Sequence, residues 1–329
     1  MRPSRSTWIF LSRAAVTTTA LGLLLGRMDL SRCGTAIQQS RGGWLLAALA
    51  WHSLGLVVST VKWERLLESL GIETNRWALF KLYSIGFFAS TFLPGMVGGD
   101  VLRWHLAGRH LQERSRVAAS ILVERVTGFM GLVLLCLFAI LRDPERLARP
   151  PVLVLLATML GALLAVVALI LSRRLAALAA RLTRRRRLLR VTVRPLFRVH
   201  RILRKFPRRP VGTALGYSLL FYAICAVTLF LVCRAFGVAV GVMEALSIQV
   251  LVSLLTTLPI SLAGLGLAQA GDVYLFGLLG VDSARAFSIS IVRQLINFAY
   301  RLLGGIFFVR WRGQTVLAAT GAREPRGAP

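Results

Sequence analysis

Two clusters of charged and amide side chains sit inside long apolar runs, and any chemistry of this chain has to be sought there. The first joins Asp100 and Arg103 to Glu124 and Arg125; the second is Arg293, Gln294, Asn297 and Arg301. Ionisable groups within segments long enough to cross a bilayer are costly, normally face a bundle interior, and mark binding or transport paths. Arg293, Asn297 and Arg301 recur at i, i+4 spacing and share one helix face. Two guanidiniums on one face suit a phosphate, whose oxygens accept from the planar donor fork of each arginine. The alternative for either arginine, and above all for Arg301, is snorkelling to the membrane interface. Glu124 and Arg125 are adjacent and point about 100° apart on a helix, so each needs its own partner. Asp100 or another acid is available to Arg125, and Arg103 or Lys81 to Glu124. Such a network serves equally as a structural pin or as part of a ligand path. Beside the second cluster, Gln269 and Asp272 are the nearest amide and acid along the chain.

Other chemistries find little support. His52, His105, His110 and His200 stand in no nucleophile, metal or acid–base spacing, and Cys33, Cys136, Cys225 and Cys233 form neither a C-x-x-C pair nor a metal pattern. No catalytic residue, metal or cofactor is expected, and the chain reads as a non-enzyme.

The elements that position the two clusters are broken helices. Phe92 to Trp104 interrupts an apolar run with Pro94, Gly95, Gly98 and Gly99, and Leu258 to Gly266 does the same with Pro259, Gly264 and Gly266. Broken backbone in lipid leaves amides and carbonyls without partners and is tolerated only where protein or trapped water satisfies them. Pro94-x-x-x-Gly98-Gly99 parallels Pro259-x-x-x-Ala263-Gly264, and an arginine in an apolar helix follows each break, Arg125 or Arg293. The expected fold is an all-α polytopic membrane protein with about six full spans plus two oppositely entering re-entrant helical hairpins, inverted-repeat-like in plan. The spans are about residues 8–25, 44–61, 117–141, 152–171, 212–233 and 286–309. The second is expected to end in an interfacial anchor, Lys62-Trp63-Glu64-Arg65.

The 329-residue chain is 56% hydrophobic with a net charge of +28, and whole windows of about 20 residues carry almost no charge, as a spanning helix requires. Most of the basic residues are arginines, which mark cytoplasmic loops. With both termini inside, Lys62, Arg65, Arg76, Arg103, Arg109, the 173–209 cluster and the last arginines face the cytoplasm, while few, such as Arg32, Arg41 and Arg142, lie outside. Residues 172–210 interleave arginine with leucine, valine and phenylalanine at helical spacing, as expected of a basic interfacial segment on anionic lipid, with Pro195 bending or splitting it. Nucleic acid is not an expected partner, since no aromatic platform or recognition motif accompanies the charge. Cys33 and Cys233 fall near the same outer face, and spacing alone leaves their pairing open.

Phe88 to Arg103, followed by Val123-Glu124-Arg125-Val126 and by Leu258 to Gly266, resembles the flippase-like transmembrane region of lysylphosphatidylglycerol synthases over almost the whole chain. In that family a basic–acidic pair usually continues the second motif; here Leu267-Ala268-Gln269 follows, and Asp272 is the acid available in its place. The resemblance implies one flippase-like domain over residues 1–309, a basic disordered tail over 310–329, and a bacterial inner-membrane location. It also implies membrane lipids as partners, anionic ones foremost, with a lipid-synthesis enzyme as a further partner. The soluble lysyl-transferring domain of full synthases would follow the membrane region, so no lysyl transfer is expected before Pro329. The function implied is movement or binding of a phosphate-headgroup or isoprenoid-type lipid between leaflets. The alternative is a non-transporting subunit that presents lipid to a separate synthase or glycosyltransferase. Arg103, Arg125, Arg293, Asp100 and Glu124 are the expected substrate contacts.

Overall fold

The apolar runs become helices, and the two breaks become the ends of helical arms. The computed structural model describes residues 30–92, 98–172, 197–258 and 264–321, with residues 18 and 22 isolated before them. Pro94, Gly95, Pro259, most of the expected first span and residues 173–196 of the basic segment, Pro195 included, lie outside the described residues. What is described is helical: α1 (Leu30–Gln38), α2 (Gly42–Glu68), α3 (Arg76–Phe92), α4 (Gly98–His110), α5 (Arg114–Arg142), α6 (Pro144–Leu147), α7 (Pro150–Leu171), a short helix at 197–204, α8 (Arg208–Ala235), α9 (Val242–Thr257), α10 (Leu267–Gly277) and α11 (Ser283–Gly321).

Four of these, α2, α5, α7 and α8, are long and apolar enough to cross a membrane, and they coincide with four of the six expected spans. The sixth is the front of α11, whose backbone stays helical to Gly321. The arms beside the breaks are shorter. At about 1.5 Å per residue, α4 reaches roughly 20 Å and α10 roughly 16 Å, well under a hydrocarbon core of about 30 Å. Many large apolar side chains point outward, among them Leu46, Leu134, Phe138, Leu141, Val154 and Leu169; a surface this apolar is suited to lipid rather than water. α7 is the extreme case, with Leu156 its one buried residue among those described.

Two sets of four helices repeat one plan. In α2–α5 and again in α8–α11 a long helix leads into a two-armed hairpin and then a second long helix, and the arms pack on one another: α3 on α4, α9 on α10. The last helix of each set crosses to the other hairpin, α5 onto α9 and α11 onto α3. At the centre α2 and α8 lie side by side: His52 meets Thr228, Gly55 meets Phe221 and Ile224, and Lys62 meets Ser218. Numbers that rise on one helix fall on the other, so these equivalent helices are antiparallel, the relation an inverted repeat requires.

Close approaches hold the arms. A Cβ on Gly99 would strike the carbonyl oxygen of Gly86 and the hydroxyl of Ser90, and one on Gly271 would press on Leu255 and Val252 at 3.1 and 3.3 Å. Each of these glycines precedes an aspartate, Asp100 or Asp272. The structural counterpart of Gly99 is therefore Gly271, rather than the Gly264 that the sequence motifs align with it. Asp100 lies eight residues past the end of α3 and Asp272 fifteen past the end of α9; the second break is longer, nine residues against five, and Asp272 also sits deeper in its arm. Gly264 and Gly266 serve that longer break with φ of +78° and +82°, a region that glycine enters without a Cβ penalty. Where α11 crosses α3, Gly304 and Gly305 lie against Ser84 and Phe88 with no room for a side chain.

These contacts separate glycines by consequence. Gly99→Ala is expected to lower the thermal stability of the detergent-solubilised protein by about 1–3 kcal/mol or more through overpacking. Gly161→Ala on α7, where an added methyl meets nothing, is expected to be neutral or to gain up to about 1 kcal/mol from helix propensity. Parallel thermal melts of the two variants check the contrast.

Candidate functional site

In the first repeat the charges form one connected network. Arg103, on the returning arm α4, is 3% exposed and reaches Glu124 on α5 with Nη2 to Oε2 at 2.6 Å. Its guanidinium lies against two neighbouring aromatic rings, 4.6 Å from the Trp63 ring centre and 4.5 Å from that of Tyr83, so cation–π attraction supplements the ion pair. The other oxygen of Glu124 accepts from the Tyr83 hydroxyl at 2.8 Å. Lys62 donates to the Glu124 backbone carbonyl at 2.9 Å and to Ser218 Oγ at 2.8 Å. Arg125 turns the other way and gives Nε to Asp100 Oδ2 at 2.5 Å. The divergence expected of adjacent helix positions is thus realised, with Asp100 and Arg103 taking the two roles. Lys81 takes no part; it lies over the Trp77 ring at 5.4 Å.

The second repeat repeats the scheme with fewer charges. Asp272, on α10 and fully buried, accepts from Arg293 Nη2 and from Ser290 Oγ, each at 2.5 Å. Gln249 on α9 accepts from Arg293 Nη1 at 3.0 Å, much as Tyr83 on α3 donates to Glu124. In both halves, then, an aspartate on the returning arm binds an arginine on the next helix. Gln269 is spent on local structure: its Oε1 accepts from the Gly266 N–H at 2.7 Å and satisfies an otherwise orphaned donor at the start of α10.

Both networks open onto a single cavity of about 350 Å³ between the repeats, within the size range of small-molecule pockets, roughly 300–1,000 Å³. Its wall includes Asp100, Arg103, Glu124, Arg125 and Arg293, all five of the expected substrate contacts, together with Lys62, Gln294, Asn297 and Arg301. The lining thus holds five cations against two carboxylates, among the aromatic rings of Tyr83, Phe87, Phe129, Tyr217, Phe221 and Tyr222. Arg125 keeps 44% of its side chain accessible, and that surface borders the cavity. Of the hairpin residues, Gly98, Gly99, Gly264 and Gly266 position the arms and are absent from the wall.

Several expectations change. The Lys62-Trp63-Glu64 stretch is no interfacial anchor: these three side chains are buried at 6%, 0% and 5% exposure, and α2 continues to Glu68. A lysine beside tryptophan near the end of an apolar run has the composition of an anchor, and only the packing of α5 and α8 on α2 makes it a site residue. Arg301 does not snorkel away; its guanidinium lies 5.2 Å from the Phe87 ring centre, at the cavity wall. All four cysteines are free and buried. Cys33 Sγ donates to the Ala284 carbonyl at 3.6 Å, so no Cys33–Cys233 bridge forms. Tyr83, Tyr217, Gln249 and Ser218 were not legible as site residues, since aromatic and small polar residues in apolar helices are ordinary core. Among the described residues no cluster of histidine, cysteine and acid could hold a metal ion.

Removing one member of a buried pair leaves its partner uncompensated, at a cost of about 3–5 kcal/mol. Asp272→Asn is expected to destabilise the protein by that order and Asp272→Asn/Arg293→Gln by distinctly less than the sum of the single changes. A double-mutant cycle from thermal or denaturant unfolding in detergent measures the coupling.

No curated protein matches the chain. Its sequence matches the family described as lysylphosphatidylglycerol synthase TM region over residues 10–305, a span that contains both repeats, both aspartate–arginine pairs and the cavity between them; the chain belongs to that family.

Proposed function

We propose that the protein is a lipid translocase that binds a phosphate-bearing headgroup in the cavity and exposes it alternately to the two leaflets. The observation that carries this reading is that one cavity is shared by two antiparallel repeats, each with a broken helix and a charged pair at its edge. Oppositely oriented broken helices meeting at a central site are a recurrent transporter plan. The short arms support re-entrant hairpins that enter from opposite faces, since neither α4 nor α10 reaches across a bilayer alone. The lining has the composition that a phosphate ester needs: guanidiniums for the oxygens, with tyrosines and amides for a polar remainder. A cavity of this size holds a headgroup while the acyl or isoprenoid chains stay in lipid beside the apolar outer faces. Membership of the family adds a lipid-related membrane role, and the arginine distribution supports a plasma (inner) membrane location with both termini cytoplasmic. The basic segment 172–210 then faces anionic lipid on the cytoplasmic side.

Reconstitution tests the reading. Vesicles that contain the purified protein and headgroup-labelled lipids are expected to move label between leaflets faster than empty vesicles, and Arg125→Gln to slow that movement. No gain over empty vesicles across several headgroups would remove translocation. Tight binding without movement, together with a co-purifying lipid-synthesis enzyme, would favour the accessory-subunit reading instead.

Topology has its own test, helped by the burial of the four native cysteines. Gln39→Cys and Lys205→Cys, both at exposed positions, are expected to react with an impermeant maleimide from opposite sides of oriented vesicles. Labelling from the same side would overturn the opposed hairpins.

A further inference from the structure

The cations on the cavity wall are not equivalent. Three are already matched by carboxylates: Arg103 by Glu124 at 2.6 Å, Arg125 by Asp100 at 2.5 Å and Arg293 by Asp272 at 2.5 Å. A ligand phosphate at any of these has to compete with a carboxylate already in contact. Lys62 is committed to a backbone carbonyl and the Ser218 hydroxyl. Arg301 differs. No acid pairs with it among the described residues; its Nε, like that of Arg103, is sealed from solvent without a hydrogen-bond partner, and the Phe87 ring is its neighbour at 5.2 Å. It stands two turns beyond Arg293 on α11, on the face that also carries Asn297 into the cavity.

We propose that Arg301 is the anion anchor of the cavity, the residue that takes the ligand's phosphate oxygens, while the acid-paired arginines hold the surrounding wall in place. The inference rests on the reading of the cavity as a ligand site and reassigns the phosphate contact within it. A guanidinium has five N–H donors and no acceptor, and a ring face satisfies none of them in the directions that a phosphate fork would. A phosphate supplies both the missing charge and paired acceptors for bidentate contact. Phe87 would hold the guanidinium plane in place through cation–π contact when the ligand leaves. The same chemistry admits a lipid phosphate headgroup or free phosphate.

The test uses the full chain in detergent micelles, titrated by calorimetry with dihexanoyl phosphatidic acid and separately with inorganic phosphate. Wild type is expected to bind at least one of the two probes. Arg301→Gln is expected to weaken that binding by roughly tenfold or more, as for loss of a charge-assisted hydrogen bond. Arg301→Lys, which keeps the charge and loses the fork, is expected to fall between. Because no internal acid is orphaned, Arg301→Gln should melt at or above the wild-type temperature, whereas a structural arginine would melt lower. Binding of the lipid alone identifies a headgroup site, and equal binding of inorganic phosphate identifies a site for the free anion; both support the anchor. Unchanged affinity in Arg301→Gln, an affinity loss that only follows a lower melting temperature, or no binding of either probe to wild type overturns it. The outcomes also separate this inference from translocation. Arg301-dependent binding without lipid movement in vesicles leaves the anchor standing and removes translocation, and movement unaffected by Arg301→Gln does the reverse.

Discussion

An ionised side chain in a bilayer has to be matched within the protein, and the aspartate–arginine pairs meet that requirement in a way that organises the rest of the structure. Asp100 and Asp272 sit on returning arms that are too short to cross the hydrocarbon core, and their partners Arg125 and Arg293 sit on the long helices that follow. Each pair therefore fastens a hairpin to its neighbour. The glycine before each aspartate makes the fastening possible, because Gly99 and Gly271 let the returning arm press on the first arm. The sequence Gly-Asp is thus a two-part device, with a missing side chain for packing and a carboxylate for the next helix. Ion pairs of this kind do not by themselves add net stability over apolar packing. Their value here is specificity, since a hairpin out of register would leave both charges unmatched in lipid.

The two repeats carry this device with different loads. The first adds Arg103, Glu124 and Lys62, with Trp63 and Tyr83 against the guanidinium. The second has apolar residues at corresponding places, such as Leu275 on the arm and Val292 before Arg293. The first half is therefore a dense, closed charge network. The second presents Arg301, a cation with no acid beside it among the described residues, and the amides Gln294 and Asn297 to the same space. If Arg301 is the anchor, an anion that reaches it on α11 has no carboxylate to displace there.

Much of this was legible in the sequence because lipid punishes exceptions. Charges at Glu124, Arg125 and Arg293 and prolines and glycines at the two breaks stand out against apolar background, and four helices long enough to span lie where hydropathy places them. The divergence of Glu124 and Arg125 also followed from helix geometry alone, whereas the choice of Asp100 and Arg103 as partners, with Lys81 left aside, is made by the packing. What resisted reading was set by packing between distant segments. Lys62 and Trp63 have the composition of an interfacial anchor, and only packing against distant helices buries them, Trp63 donating to Ser120 on α5 and Lys62 to Ser218 on α8. The repeat was visible through its breaks but was aligned on the wrong glycine, since a longer break and a deeper place in the returning arm shift the second aspartate without changing its role. Arg301 was ambiguous because a terminal-looking arginine snorkels or turns inward according to what the opposing helix offers, and here α3 offers the Phe87 ring.

The distribution of strong and weak contacts bears on how a lipid would pass. The buried ion pairs at the cavity each join residues of one repeat, Glu124–Arg103 and Asp100–Arg125 in the first and Asp272–Arg293 in the second. Contacts between the repeats are of another kind. They are van der Waals approaches such as Gly55 to Phe221 and Gly304 to Ser84, and neutral or singly charged hydrogen bonds such as His52–Thr228, Lys62–Ser218 and the Tyr300 hydroxyl to the Leu49 carbonyl. Breaking a buried ion pair costs several kcal/mol, whereas one apolar or hydroxyl contact exchanges for another at much less. None of those ion pairs has to break for the seam between the repeats, where the cavity lies, to shift. A rocking of one repeat against the other would open the cavity toward alternate faces without unmatching a carboxylate.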